Sequence, residues 1–221
     1  MMKILQISDL HLAPGNQDMH GVNPSDRLTQ CVADIRQNHA DAELCVITGD
    51  LAHKGEIGAY EILRDILVDL PVPYHLLVGN HDDRKKLLSV FPNTAVDPNG
   101  FIQSVVDLEI GRLIFIDTVE IGEKFGGFCA QRAEWLETQL KDSAGRPVYL
   151  FLHHPPFDVG IPYMDGMRML RGEDLLAEIV APFANIRHMF LGHLHRPIAG
   201  SWNGIPFSVF RGTAHQVALR M

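Results

Sequence analysis

Five apolar runs in this chain each end in a side chain able to bind a metal ion, and this constrains the fold more than any other feature. Residues 3–8 lead into Asp9 and His11, and residues 44–49 into Asp50. Residues 74–79 lead into Asn80 and His81, 148–152 into His153, and 188–192 into His193 and His195. Short runs rich in β-branched and aromatic residues read as strands covered on both faces. Open α/β sheets gather their ligands beyond the carboxyl ends of the strands. Five such ends carrying Asp, Asn and His imply one convergent metal site.

Helix-like segments alternate with these runs. Asn23-Pro24-Ser25 opens a helix to about His39, with Leu28, Val32 and Ile35 on one face. Further helices are expected over 56–70, after the N-cap candidates Asp82 and Asp83, over 131–141, and after Gly172. Residues 101–106 and 113–116 read as an antiparallel pair, and 198–202 and 206–210 as a hairpin across Asn203-Gly204. Early βαβ units demand parallel pairing and the later pairs antiparallel edges, so mixed sheets covered by helices are expected. No repeat or linker divides residues 1–221, which read as a single domain.

Charge narrows the partners. A formal net charge of −8 supplies neither the basic footprint of a nucleic-acid binder nor attraction to an acidic membrane. An anionic substrate would therefore need a local positive centre, which metal ions provide. Three widely spaced cysteines, Cys31, Cys45 and Cys129, read as free thiols. Asp9 interrupts the first apolar run, so neither a signal peptide nor a membrane span is expected, and a cytoplasmic location follows.

Asp9-Leu10-His11 and His193-Leu194-His195 share a spacing of two, which in extended chain sends both ligands to one side and the leucines to the other. Gly49, Gly79 and Gly192 each precede a candidate ligand, where glycine permits a sharp turn and close backbone approach. Imidazole and carboxylate without thiolate suit Mn, Fe, Co or Zn. Asp9, His11, Asp50, Asn80, His153, His193 and His195 exceed the needs of one tetrahedral ion and suit two ions sharing a carboxylate. Two divalent ions would outweigh Asp9, Asp50 and a hydroxide by one unit of charge, leaving a centre that draws a phosphate ester. Taken singly, an Asp-x-His is commonly a surface pair and a Gly-Asn-His-Asp a capped turn; their joint order carries the inference. His20, His39, His53, His75 and His188 read as surface or partly buried residues. His154 and His215 are candidates for orienting a ligand.

Asp9-x-His11, Gly49-Asp50, Gly79-Asn80-His81-Asp82, His153 and Gly192-His193-x-His195 together resemble the calcineurin-like metallophosphoesterase superfamily. His153-His154-Pro155-Pro156-Phe157, Gly192-His193-Leu194-His195-Arg196-Pro197 and Gly212-Thr213-Ala214-His215-Gln216-Val217 are similar to its bacterial class III cyclic nucleotide phosphodiesterases and glycerophosphodiesterases. The resemblance implies an α/β fold, a four-layer α-β-β-α sandwich with two mixed β-sheets. It implies one ion on Asp9, His11, Asp50 and His195, and a second on Asp50, Asn80, His153 and His193, with Asp50 bridging. His81 is similar to the family's outer-sphere histidine, and substrate contacts would come from His11, Asp50, Asn80, His81 and His195. Water held between two metals ionises near neutral pH and attacks phosphorus in line. His81 would stabilise the equatorial oxygens or protonate the leaving group.

The expected activity is therefore hydrolysis of a small anionic phosphodiester, 3′,5′-cyclic nucleotides such as cAMP ahead of glycerophosphodiesters. Rivals are a phosphomonoesterase or pyrophosphohydrolase on the same scaffold, a nuclease, and a metal-free protein-binding scaffold. Residues 155–172, with Met164, Met167 and Met169, can form a wall over the site or pack on their own core; residues 19–26 are a second candidate wall. Members of this branch continue beyond the segment matching 212–217, often into elements used in oligomerisation. This chain, ending at Met221, would be a compact or shortened member and a possible homodimer.

Overall fold

The computed structural model describes residues 2–218. Strands β1 (Ile4–Ile7), β2 (Leu44–Thr48) and β3 (Tyr74–Leu77) form a parallel three-stranded sheet in that order. Helices α1 (Pro24–Asn38) and α2 (Ile57–Leu67) connect them, and α3 (Arg84–Val90) follows β3. The larger sheet contains β4 (Ser104–Leu108), β5 (Gly111–Ile116), β7 (Val148–Leu152), β9 (Ile186–Leu191), β10 (Ile198–Trp202) and β11 (Ile205–Val209). Its order is β10-β11-β9-β7-β5-β4, antiparallel only at the two outer pairs. Helices α4 (Ala130–Asp142) and α6 (Glu173–Val180) cover it. Mixed pairing is thus confined to the larger sheet, because β1, β2 and β3 are all linked by helical crossovers.

Alternation along the strands explains the four layers. On β2, Cys45 and Ile47 face the cluster built with α1, α2 and α3, while Leu44 and Val46 face the other sheet. On β5, Ile114 and Ile116 point to the α4–α6 side, and Leu113 and Phe115 point inward. Val148, Leu150 and Leu152 of β7 likewise face the helices, opposite Phe151. Both faces being covered accounts for the unbroken apolar runs. Between the sheets, the rings of His75, Phe115, Phe151 and Phe190 stack in sequence at centroid distances of 3.7, 5.1 and 4.8 Å.

Local signals set most boundaries. Asn23 caps α1 by accepting hydrogen bonds from the Ser25 and Asp26 amides, and Asp83 caps α3 through the Lys86 amide. Asn203 and Gly204, with φ of 49° and 80°, form the turn between β10 and β11. Residues 155–172 are not an open loop. They contain the short helix α5 (Pro162–Asp165) and strand β8 (Met169–Arg171), which pairs with β6 (Gly126–Gly127). Met164 and Met169 are buried in the α4–α6 core and Met167 packs against it, so the packing reading of this segment holds. No disulfide joins the cysteines; Cys45 is buried and Cys31 and Cys129 are half-buried. Among the described residues no helix is long and apolar enough to cross a membrane.

Candidate metal centre

The chain leaves each strand before it reaches the candidate ligands. Asp9, His11, Asp50, His193 and His195 all have positive φ, from 48° to 70°. The spacing of two therefore works through paired left-handed residues and not through extended chain. Leu10 and Leu194 still point away into the two helix-side cores. Left-handed backbone costs a non-glycine residue roughly 1–2 kcal/mol, and five such residues at one point mark a site whose surroundings over-determine it. The Asp9 and His11 amides donate to the carbonyls of Gly49 and Asp50 at 3.1 and 2.9 Å, which zips the first two ligand loops together. Gly49 has φ of 94°, and a Cβ there would meet His153 Nδ1 at 2.6 Å. A Cβ on Gly79 would strike the Asp50 carboxylate. These glycines let three loops close onto one another.

All seven candidates converge. Asp9, His11, Asp50 and His195 bring one ligand atom each within 4.8 Å of one another, as do His153, His154 and His193. Asp50 Oδ2 stands 3.5 Å from His11 Nε2 and 3.4 Å from His153 Nε2, between the two groups. His195 Nε2 lies 3.0 Å from His11 Nε2 and 3.4 Å from Asp9 Oδ1. His153 Nδ1 donates to the Thr48 carbonyl at 2.8 Å, and His195 Nδ1 to the His215 carbonyl at 2.9 Å. Each bond fixes the tautomer and turns an Nε2 lone pair toward the centre. Asn80 Oδ1 lies 3.2 Å from His154 Nε2, and the Thr118 hydroxyl holds His154 Nδ1 at 2.8 Å. His154 thus orients a candidate ligand, whereas His215 does so through its backbone oxygen.

The electrostatics fit a cation. Burial disfavours ionised Asp9, yet His195 beside it holds its carboxyl below the usual range. Burial likewise opposes charge on His153 and His195, but Asp50 raises the first to about 9 and Asp9 raises the second. His11 and His193 are lowered to about 3, chiefly by burial. In the chain by itself, two buried carboxylates therefore draw protons onto two imidazoles. Metal ions held there would supply the same positive charge in place of those protons. Asp9 Oδ2, His153 Nε2 and His193 Nε2 are buried without a hydrogen-bond partner. Each such atom costs about 1–3 kcal/mol unless something satisfies it. Imidazole and carboxylate donors of this kind suit divalent transition ions.

His81 stands at the rim of this group. Its amide donates to Asp50 Oδ1 at 3.0 Å, and its Nδ1 donates to the His53 carbonyl at 2.6 Å. The His53 ring stacks on it at 5.4 Å, and His20 packs on His215 at 4.6 Å. Neither His20 nor His53 stood out in the sequence; their approach comes from loop folding, though His53 lies only three positions after Asp50. Asp82 is not the cap of α3. It accepts bonds from the Leu51, Ala52 and Gly79 amides and the Tyr60 hydroxyl, tying the loops after β2 and β3 together. Burial, with Asp50 nearby, raises its pKa to about 6.

Known proteins resemble this chain in sequence and in fold. The family model for calcineurin-like phosphoesterases matches residues 2–197. A probable cyclic nucleotide phosphodiesterase of Rhodopseudomonas palustris is 42% identical over 98% of this chain and 80% of its own length. A probable glycerophosphodiester phosphodiesterase of Arcobacter nitrofigilis is 30% identical over 99% of this chain and 81% of its own length. Among solved structures, a dimetal phosphatase from Danio rerio superposes with a TM-score of 0.75 at 15% identity, covering 96% of this chain and 87% of that one. At that identity the likeness concerns the fold alone, which is the metallophosphoesterase sandwich. Motifs, fold and relatives agree, and the chain belongs to the calcineurin-like phosphoesterase family.

Proposed function

We propose that the chain is a two-metal phosphodiesterase acting on small diesters, with 3′,5′-cyclic nucleotides ahead of glycerophosphodiesters. Asp9, His11, Asp50 and His195 would hold one ion, and Asp50, Asn80, His153 and His193 the other. The observation carrying this reading is the Asp50 carboxylate, whose Oδ2 is 3.5 Å from an imidazole of one group and 3.4 Å from an imidazole of the other. Bound divalent ions lower the pKa of water and offset charge on the phosphoryl oxygens. The chain's own residues do the rest. Thr48 and His215 aim the Nε2 atoms of His153 and His195, and Thr118 and His154 hold the Asn80 amide.

His81 has a narrower choice of roles than its position suggests. With Nδ1–H committed to the His53 carbonyl, a neutral ring carries a lone pair at Nε2. His81 meets an anionic phosphate or a departing alkoxide as a donor only as the imidazolium. Offsetting charge on a phosphoryl oxygen and protonating the departing alkoxide would both draw on that same Nε2–H.

Preference for cyclic nucleotides rests on the R. palustris relative, whose 42% identity exceeds the 30% of the glycerophosphodiester relative. Metal-loaded protein should cleave bis(4-nitrophenyl) phosphate and cAMP faster than 4-nitrophenyl phosphate. A clear preference for the monoester would overturn the diesterase reading.

A further inference from the structure

Beside the metal centre lies a pocket of about 840 Å³, and Asn80 and His81 form the wall the two share. The segments that follow β2, β3 and β5 line it, and each contributes one lysine: Lys54 and Lys124 from loops and Lys85 from the first turn of α3. Among the described residues, the ammonium group of none of the three has a hydrogen bond or ion pair. The other charges at its wall are already engaged. Arg84 grips Asp117 with two bonds of 2.6 Å. Asp83 caps α3, and Glu120 lies 3.3 Å from Arg132. Glu123 is the one carboxylate left without a partner there, so three free ammonium groups face a single free carboxylate. Ile121, 88% exposed, gives the same wall an apolar patch.

A cyclic mononucleotide offers these lysines no second anion. Its single charge sits on the reacting phosphorus, and both ester arms return to one sugar. A volume of about 840 Å³ takes a whole nucleoside-sized arm. Free lysines along its edge add affinity where that arm ends in an anion.

Resting on the diesterase reading above, we propose that this pocket binds the leaving arm of linear phosphodiesters that carry a terminal phosphate. Lys54, Lys85 and Lys124 hold the terminal phosphate, and Ile121 packs on the sugar or base. His81 lies on the pocket side of the centre and so faces the alcohol that leaves. Water adds to the internal phosphorus, the bond from phosphorus to the 3′ oxygen breaks, and that oxygen departs with a proton. A 5′-phosphorylated dinucleotide thereby yields two nucleoside 5′-monophosphates.

Diadenylate with and without a 5′-phosphate tests this directly, since the pair differs only in the group the lysines would read. With equal metal loading, the phosphorylated form should show a KM lower by about tenfold or more, and salt should shrink the gap. The combined variant Lys54→Gln, Lys85→Gln, Lys124→Gln should bring the two KM values together, and Glu123→Gln should widen the gap. Equal KM values in the parent protein, or a gap that survives the triple variant, would overturn the proposal. Cleavage of cAMP or bis(4-nitrophenyl) phosphate with neither diadenylate touched would also overturn it and leave the diesterase reading standing. Absence of cleavage for every diester would count against that reading itself.

Discussion

The three-stranded sheet brings the candidate ligands Asp9, His11, Asp50 and Asn80 to the site, whereas the six-stranded sheet brings only the imidazoles His153, His193 and His195. Every carboxylate in the group belongs to the smaller sheet. The imidazoles across from it are aimed partly by groups of that same sheet and its loops: the Thr48 carbonyl turns His153, and the His193 amide donates to Asp9 at 3.0 Å. Neither sheet alone holds a complete donor set. The site comes into being only when Val46, Leu77, Leu113, Phe115 and Phe151 pack between the sheets and bring the two rims together. Metal binding at the edge of the layers would therefore be coupled to apolar burial between them.

The sharpest way to break this division is Asp50→Ala, which removes the carboxylate standing between the two donor groups. Activity should fall by at least about a thousandfold, and metal analysis should show less than two ions per chain. His81→Ala touches the rim and not the donors. It should lose about a hundredfold to a thousandfold in turnover while keeping its metal; simultaneous loss of metal would show that His81 belongs among the ligands.

His75 poses the same question at the opposite location. It is an imidazole of the smaller sheet stacked on Phe115 between the layers, and burial lowers its pKa to about 4. The folded state keeps this ring neutral, so its contribution is complete above the unfolded pKa and is lost as pH falls from about 6.5 through about 4. Metal-free His75→Phe should lose less stability than the parent over that range, by up to about 3 kcal/mol in urea unfolding. The smallest effect is expected from Thr118→Val, which frees His154 and so loosens Asn80. Metal affinity should weaken by about tenfold with the fold unchanged by circular dichroism. An unchanged affinity would mean that Asn80 does not need this support.

Much of this architecture was legible because it is written in short-range signals. Asn23-Pro24 starts α1, Asn203-Gly204 turns β10 into β11, and uninterrupted apolar runs announce strands covered on both sides. Other features depend on segments far apart in the chain. That Asp82 would bind three backbone amides of neighbouring loops, and not cap α3, is invisible in Gly79-Asn80-His81-Asp82-Asp83, where either aspartate can serve as a cap. The two-residue spacing of Asp9 and His11 correctly joined them, but for the wrong backbone. A shared positive φ brings them together, and that conformation follows from hydrogen bonds to the loop after β2. Met164 and Met169 can suggest an adaptable wall, yet α5 carries the first and β8, paired with β6, carries the second into the core.

By itself, then, the sequence determined the donor types, their order and their positions at strand ends, because residue chemistry and hydrophobic period are local properties. Only the tertiary structure decided which donors approach Asp50, which imidazole nitrogen each presents, and that three lysines from separate segments line one pocket beside His81. Those are matters of distance between chain segments, fixed when two apolar sheet faces close and the loops at their ends have one way left to fit.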